Sequence, residues 1–207
     1  MVYSIVIAVL VGYLLGNLNG AVCISALLHD DVRSHGSGNA GLTNFIRNYG
    51  AGRSMYVILI DAGKAYLACL TAGLLLQPYD MALEGLAIGG VAVILGHCFP
   101  ALLGFRGGKG ILSGLFVALA VDWRIAVIIL AVFCIAYLAT KYVSLGSVLG
   151  AATFSISFAV LHHDNLVVMI CGVSVGILAL FMHRENIARL VKGQERKTDL
   201  FKKKIEN

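Results

Sequence analysis

The chain has 207 residues, of which 59% are apolar and only 13% are charged. An average soluble domain carries about 25% charged residues, so this composition excludes an ordinary soluble domain and indicates a protein of the lipid bilayer. The formal net charge of +5 favours anionic lipid or an anionic substrate as the partner, and we expect no nucleic acid to bind.

Seven apolar stretches, separated by short polar breaks, predict an all-α polytopic membrane protein with about seven transmembrane helices. A helix needs about 20 residues to cross the hydrocarbon core, and the fourth stretch is short by that measure. The first stretch has no basic residue before it, so we interpret it as a retained helix and not as a signal peptide. The stretches cover approximately residues 2–28, 54–76, 83–103, 111–121, 125–140, 142–161 and 166–182.

The basic residues fall on one side of this seven-span topology. All of the 16 lysines and arginines except Lys64 and Arg124 lie in the polar breaks on that side or after residue 182. Because cytoplasmic loops carry the excess of Lys and Arg, we predict an outside N-terminus and a cytoplasmic C-terminus. If the fourth stretch did not cross, the basic tail would move to the opposite face and this pattern would break.

This topology divides the chain into two parts. Residues 1–182 form the predicted seven-helix transmembrane domain, and residues 183–207 form a cytoplasmic C-terminal motif with a basic tail. The domain exposes three predicted active-site loops on the cytoplasmic face, at residues 29–53, 99–110 and 141–147.

The first polar loop contains the run HGSGNAGLTNFIR. Gly36 and Gly38 alternate with Ser37 and Asn39, and such a run lets successive backbone N–H groups converge on an anion. Long loops without structure are uncommon and usually functional, which favours a binding role over a plain solvated loop. We expect Thr43 or Asn44 to cap a short helix that carries Arg47.

The second loop, FRGGKG, combines Gly107, Gly108 and Gly110 with Lys109 at the start of the fourth stretch. It is not a Walker A motif, because Gly110 stands where Ser or Thr would follow the lysine. Glycines nevertheless allow close approach to a phosphate, and the lysine supplies charge beside a helix N-terminus. His97 lies just upstream. The alternative is a flexible turn with snorkelling cations.

The third polar region is HRENIARLVKGQERK, residues 183–197. In a helix, His183 and Asn186 lie three positions apart and share one face. Glu185 and Arg189 are four apart and are expected to pair. The lysines beyond Arg196 are interpreted as a basic segment at the membrane surface.

Smaller polar features lie inside the predicted helices. Asp61 and Lys64 are three positions apart within the second stretch, where a lone charge is costly, so we expect them to pair or to face a polar cavity. Ser144 lies near the cytoplasmic end of the sixth stretch, close enough to join a site. No set of residues suggests a metal or cofactor site, and we expect neither. Together, the three loops predict an enzyme that handles phosphorylated substrates at the membrane surface.

The ordered motifs RSHGSGNAGLTNFIR, GHCFPALLGFRGGKG, SLGS and HRENIARLVKGQE resemble those of the bacterial acyl-phosphate-dependent glycerol-3-phosphate acyltransferases. The resemblance spans nearly the whole chain. It implies transfer of a fatty acyl group from acyl phosphate to glycerol 3-phosphate, which yields lysophosphatidic acid and phosphate in the first step of phospholipid synthesis. It also implies residence in the bacterial cytoplasmic membrane, contact with membrane lipid and a separate enzyme that supplies acyl phosphate.

The resemblance further implies roles for individual residues. Ser37, His183 and Asn186 would be catalytic, with His183 and Asn186 orienting the glycerol. Arg47 and Lys109 would hold phosphate charge. The remaining substrate-binding and phosphate-binding positions would be Gly36, Gly38, Asn39, Thr43, Asn44, His97, Gly107, Gly108, Gly110 and Ser144. Structural roles would fall to Asp61, Lys64 and Glu195.

The sequence departs from the family pattern at five positions. The family commonly has Gly-Ser-x-Pro in the first helix, where this chain has Asn17 and Asn19, and we expect one of these asparagines to fill the gap by hydrogen bonding. The other departures are Leu42, Ala65 and Leu112, which leave room for altered acyl-chain preference or rate.

Two other functions remain open from the residues. A transporter or channel for phosphorylated metabolites needs polar groups near mid-bilayer, and only Asp61 and Lys64 intrude there. A non-catalytic scaffold would bind acidic lipid through its basic tail and would not need Lys109.

Overall fold

The computed structural model describes residues 1–198, and the regular secondary structure within them is entirely helical. Predicted tail residues 199–207, including Lys202, Lys203 and Lys204, lie outside the described residues. The helices are α1 (Val2–Asn17), α2 (Gly20–Leu27), α3 (Leu42–Tyr49), α4 (Ala51–Leu76), α5 (Ala82–Cys98), α6 (Ile111–Val121), α7 (Trp123–Thr140), α8 (Val143–Leu161), α9 (Leu166–Met182) and α10 (Arg184–Val191). Short 3₁₀ turns occupy Val32–Ser34, Gln77–Tyr79 and Ala101–Leu103.

Membrane-spanning length and apolarity are found in α7, in α8, and in α4 and α5 when each is counted with the 3₁₀ turn that follows it. The pairs α1–α2 and α9–α10 qualify only when each is counted as one span, with bends of 40° and 56°. The remaining apolar helix, α6, has 11 residues and is shorter than a full span. The chain is therefore a multi-pass helical membrane protein, as the composition predicted.

The polar loops meet at one end of the helix bundle, which we call the loop end. Arg33 Nη1 donates to the carbonyl of Leu103 at 3.2 Å, so the first loop contacts the second. The N–H of Thr198 donates to the carbonyl of Lys141 at 3.1 Å, so the C-terminal segment contacts the turn between α7 and α8.

A second set of turns meets at the opposite end, which we call the far end. Asn165 Nδ2 donates to Glu84 Oε1 at 2.7 Å, and His162 Nε2 lies 3.2 Å from Asp122 Oδ2. Because Asp122 ends α6 here and α6 begins at the loop end, this short helix does take the chain across the bundle. Residues 1–198 thus run between the two ends of the bundle seven times, and four to six of these passages have the length and apolarity of a membrane span. The orientation in a membrane stays a prediction.

Helix α5 lies at the centre, in contact with α1, α4, α6 and α9. Its close fit with α1 depends on glycine: a Cβ on Gly96 would stand 2.2 Å from the Tyr13 carbonyl oxygen, and one on Gly16 would stand 2.4 Å from the Val93 oxygen. Small residues are the usual means by which membrane helices approach one another closely. This packing holds α1 against the start of the second loop.

Three predicted boundaries were wrong. The first stretch is broken at Leu18 and Asn19 into α1 and α2. The first loop contains the predicted short helix as α3, but it ends earlier than predicted, because α4 already begins at Ala51. The predicted loop 141–147 is almost entirely the first turn of α8, and only two residues link α7 to it. Hydropathy marks apolar length, and it does not register polar helical turns that lie outside the bilayer.

Candidate active site

A cavity of about 460 Å³ opens at the loop end and is lined by residues from all three polar regions. Ser37, Arg47, Lys109 and His183 therefore all line the same cavity. Their roles stay predictions. The other predicted site residues on the lining are Asn39, Thr43, Asp61, His97, Gly110, Ser144, Asn186 and Glu195. The lining does not include Gly36, Gly38, Asn44, Lys64, Gly107 or Gly108.

The first loop is shaped by Asn44, whose side chain is buried inside it. Its Oδ1 accepts from the N–H of Ser37 at 3.1 Å, and its Nδ2 donates to the carbonyls of Val32, His35 and Asn39 at 3.0–3.1 Å. The prediction that Thr43 or Asn44 caps α3 was wrong, because Gly41 is the N-cap and no side chain bonds there. Asn44 instead ties together the loop that presents Ser37.

Arg47 lies on α3 as predicted and is half-buried on the cavity wall. Its Nε donates to Thr198 Oγ1 at 2.9 Å, its Nη2 also bonds that oxygen, and Nη2 donates to the carbonyl of Arg196 at 3.3 Å. Burial lowers the pKa of the guanidinium, which nevertheless stays charged. Within residues 1–198, no carboxylate lies within ion-pair distance of it.

Lys109 immediately precedes Gly110, the N-cap of α6, and its Nζ bonds Asn186 Oδ1 on α10. Burial, followed by the charge of Arg189, lowers the pKa of the ammonium. No carboxylate of the described chain pairs with it. Lys109 is therefore a second cavity cation without a neutralising partner.

The glycines before Lys109 serve packing. A Cβ on Gly107 would stand 2.0 Å from the His97 carbonyl oxygen, and one on Gly108 would stand 2.2 Å from His97 Nε2. The N–H of Gly108 donates to the His97 carbonyl at 3.1 Å. This close fit against α5 fixes the path of the loop and explains why these two glycines do not reach the lining.

His183 and Asn186 lie at the bend between α9 and α10. His183 Nδ1 is 2.8 Å from the Ala179 carbonyl oxygen, a group that can only accept, so Nδ1 carries a proton. In the neutral ring the other nitrogen, Nε2, then has a free lone pair. His183 lines the cavity and is buried, so this lone pair is available to a hydroxyl there.

Glu195 holds the polar face of α10 in place. Its Oε1 accepts from Asn186 Nδ2 at 3.0 Å, and its Oε2 accepts from Arg189 Nε at 2.7 Å. The predicted Glu185–Arg189 contact is present but longer, at 3.9 Å. Because Glu195 neutralises Arg189, Arg47 and Lys109 are the cavity cations that have no carboxylate partner within residues 1–198.

Ser144 is buried on the first turn of α8 and lines the cavity. Its Oγ has no hydrogen-bond partner among the described residues. A buried hydroxyl without a partner is costly, so an orphan of this kind at a cavity wall points to a ligand. Ser147, one turn further along, lines the same wall.

Below the loops, a buried ionic cluster forms the cavity floor. Lys64 Nζ lies 2.8 Å from Asp61 Oδ1 and 2.8 Å from His97 Nδ1. The prediction that Asp61 and Lys64 pair within the membrane helix is confirmed. Of these three residues, only Asp61 and His97 line the cavity. The charge of Lys64 is neutralised by Asp61 within the floor, so Lys64 does not face a ligand.

The opposite wall is apolar and is formed by α6, α7 and α8. It ends at Leu130, which is 48% exposed on the outer face of α7, so the cavity reaches the lipid-facing surface. A hydrocarbon chain and a charged group can therefore occupy the same cavity side by side. The apolar residues of this wall are Ile111, Leu112, Leu115, Ile129, Leu130, Phe133, Val143, Gly146 and Gly150.

Two polar contributors were missed at the sequence level. Arg189 lines the cavity, and its position three residues after Asn186 on one helix face was a usable signal. Thr198 bonds Arg47 because the chain after α10 folds back to the turn at Lys141, and nothing local in the sequence indicates that path.

Comparison with known proteins identifies the family to which the chain belongs. The sequence model of a family described as Glycerol-3-phosphate acyltransferase matches residues 6–193. A glycerol-3-phosphate acyltransferase of Finegoldia magna is 38% identical over 200 residues, covering 94% of this chain and 96% of that protein. One of Thermoanaerobacter pseudethanolicus is 37% identical over 193 residues, covering 93% and 94%.

Solved structures match as well. The crystal structure of PlsY (YgiH), an integral membrane glycerol 3-phosphate acyltransferase, in its glycerol 3-phosphate form has a TM-score of 0.84 at 30% identity, covering 96% of this chain and 100% of that one. Its lysophosphatidic acid form has a TM-score of 0.79 at 29% identity, covering 95% of this chain and 96% of that one. The chain therefore belongs to the glycerol-3-phosphate acyltransferase family and is a multi-pass membrane acyltransferase.

Proposed function

We propose that this acyltransferase moves a fatty acyl group from acyl phosphate to glycerol 3-phosphate in the bacterial cytoplasmic membrane, yielding lysophosphatidic acid and phosphate. One observation carries the proposal. Arg47 and Lys109, which have no carboxylate partner within residues 1–198, share a cavity with His183, an apolar wall and the Ser144 hydroxyl, which bonds no described residue. That combination fits two phosphate groups and one acyl chain.

The substrates can be assigned to parts of the cavity. The first loop, with Ser37 and Arg47, would bind the phosphate of the acyl donor, and Ser144 would donate to it. Lys109 bonds Asn186, which lies three residues after His183, so the second loop would bind the phosphate of glycerol 3-phosphate. The acyl chain would lie against α6–α8 and enter from the bilayer beside Leu130.

The reaction needs no acyl-enzyme, because phosphate is already a good leaving group. The glycerol hydroxyl oxygen attacks the acyl carbonyl carbon, and the bond from that carbon to the phosphate oxygen breaks. The electron pair leaves with phosphate, where Arg47 and Ser37 would stabilise the charge. The hydroxyl proton passes either to a phosphate oxygen or to Nε2 of His183, which has a lone pair in the neutral ring. Binding both substrates in one cavity supplies orientation.

The direct test uses purified protein with acyl phosphate and glycerol 3-phosphate, and it measures released phosphate together with lysophosphatidic acid. We expect both products in equal amounts, and none with acyl-CoA as the matched donor control. Uptake of glycerol 3-phosphate into proteoliposomes without acyl transfer would contradict the proposal and support a transporter.

The identity of the proton acceptor is tested with His183→Ala and His183→Gln. If His183 takes the proton, both variants lose the acid limb that the ring contributes to the pH profile of kcat. If His183→Gln retains most of the activity with an unchanged profile, the ring only orients the hydroxyl and a phosphate oxygen takes the proton.

A further inference from the structure

The break between α1 and α2 lies beside both anion loops and contains two buried amides. Asn17 ends α1, Asn19 caps α2, and the two are 5% and 1% exposed. A break in a membrane helix frees backbone groups that must find other partners, so it persists only where something satisfies them. This break also contains two of the five positions at which the sequence departs from the family pattern.

The buried ion pair below the cavity satisfies the broken backbone. Lys64 Nζ donates to the carbonyls of Leu18 at 2.5 Å and Gly16 at 3.3 Å, which are the carbonyls freed at the end of α1. Asp61 Oδ1 accepts from the N–H of Gly20 at 3.1 Å, a freed donor at the start of α2. A cation at a helix C-terminus and an anion at an N-terminus also match the helix dipoles.

Because Lys64 and Asp61 bond the freed backbone groups, the side chains of Asn17 and Asn19 can each bond one of the anion loops. Asn17 donates through Nδ2 to Tyr13 O at 2.7 Å, and its Oδ1 accepts from the N–H of Leu102 at 3.0 Å, in the turn that precedes FRGGKG. Asn19 accepts through Oδ1 from Val22 N at 3.0 Å. Its Nδ2 donates to the carbonyl of Ala40 at 2.9 Å, in the first loop.

Each amide therefore uses one atom on its own helix and the other on a different anion loop. Ala40 is fully buried and stands between Asn39 and Gly41, which both line the cavity. Leu102 begins the path to Lys109. The two contacted loops are the ones that carry Arg47 and Lys109, and the contacting residues are separated by a single residue, Leu18.

We propose that Asn17 and Asn19 are positioning residues that set the separation of the two phosphate subsites, Asn19 acting on the acyl-phosphate loop and Asn17 on the glycerol-3-phosphate loop. This inference rests on the proposed function. The proposal explains why two polar residues lie in an apolar stretch, because both anion loops are hydrogen-bonded to the same helix break.

The test separates the two KM values. Asn19→Ser keeps a capping oxygen for α2 but is too short to reach Ala40, so KM for acyl phosphate rises about fivefold or more while KM for glycerol 3-phosphate changes less than about twofold. Asn17→Ala removes the acceptor for the N–H of Leu102, so KM for glycerol 3-phosphate rises about fivefold or more while KM for acyl phosphate changes less than about twofold. Asn19→Asp, which keeps size and cap but replaces the donor, is a second variant with the same expectation as Asn19→Ser.

A matched control exists at the far end. Asn165 caps α9 as Asn19 caps α2, with Oδ1 accepting from Val168 N at 3.2 Å, but its Nδ2 bonds Glu84 and no cavity loop. Asn165→Ser is expected to leave both KM values unchanged. A purely structural role for Asn17 and Asn19 predicts less folded protein, or equal changes in both KM values, and either result overturns the proposal. An inactive wild-type protein would instead overturn the proposed function.

Discussion

The two ends of the bundle are both polar, yet they differ in how their charges are balanced. At the far end, Arg124 Nη2 lies 2.7 Å from Asp122 Oδ2, and His162 contacts the same carboxylate. At the loop end, Arg47 and Lys109 bond only neutral oxygens of residues 1–198. The difference teaches that the candidate site is distinguished by half-buried cations without a carboxylate partner in the described chain, whereas the presence of charge alone does not distinguish it.

The largest expected effect comes from removing one of these cations. Lys109→Ala should lower kcat/KM about 10²–10³-fold, because a preorganised charge on a phosphate is lost from a water-poor cavity. The matched far-end change, Arg124→Ala, removes an exposed and already paired cation and should alter kcat/KM less than about twofold. Steady-state kinetics on both variants measure this contrast, and similar losses at the two ends would refute it.

A smaller loss is expected from Glu195→Gln, which tests whether neutralising Arg189 matters. The amide keeps its size but no longer balances Arg189 or holds Asn186 as a carboxylate does, so kcat/KM should fall about tenfold. Glu84→Gln is the far-end control, since Glu84 also accepts from an asparagine amide. Equal activity of the two variants would show that Glu195 does not organise the site.

Ser144→Ala should have a still smaller effect of about two- to tenfold on KM for acyl phosphate, because a single hydrogen bond to the ligand is lost. Its melting temperature should not fall, since the Oγ bonds no described residue in the protein. Ser174→Ala is the control, because that hydroxyl is exposed and bonds the Cys171 carbonyl. An unchanged KM would mean that Ser144 does not face the donor.

The pH dependence is the finest of these comparisons. Burial and Arg189 lower the pKa of Lys109, so the free enzyme loses this cation, and kcat/KM falls, as pH rises through a value below that of an ordinary lysine. Lys109→Arg keeps its charge at every such pH and should lose this alkaline limb. Profiles are corrected for spontaneous acyl phosphate hydrolysis. An identical limb in Lys109→Arg would assign it to another group.

The fold was largely predictable because its determinants are local. Apolar length predicted the long helices, and the one-sided distribution of Lys and Arg predicted that α6 joins opposite ends of the bundle in spite of its 11 residues. The break at Asn19 and the short helix boundaries were not predicted in place, because a capped break and a continuous helix have nearly the same hydropathy. Within this stretch, only Asn17 and Asn19, which depart from the family pattern, indicated that the first helix differs from that of its relatives.

The sequence predicted most of the polar residues that line the candidate site. It did not predict which of them face the cavity and which pack inside a loop. Glycine runs and cations indicated phosphate chemistry, and motif order indicated the family. Gly107 and Gly108 have the composition of ligand-binding glycines, yet they pack on His97. Asn44 looks like a cap or ligand, yet it organises its own loop. Such assignments depend on what a side chain meets, which spacing along the chain does not contain.

The sequence by itself determined that the protein is a helical membrane acyltransferase with three polar motifs, because hydrophobicity and motif residues are properties of the chain. Only the tertiary structure decided which cations of residues 1–198 lack a carboxylate partner, which wall of the cavity is apolar, and that Lys64 and Asp61 cap a broken helix. The physical reason is that the free energy of a buried polar group is decided by its partners, and those partners come from distant parts of the chain.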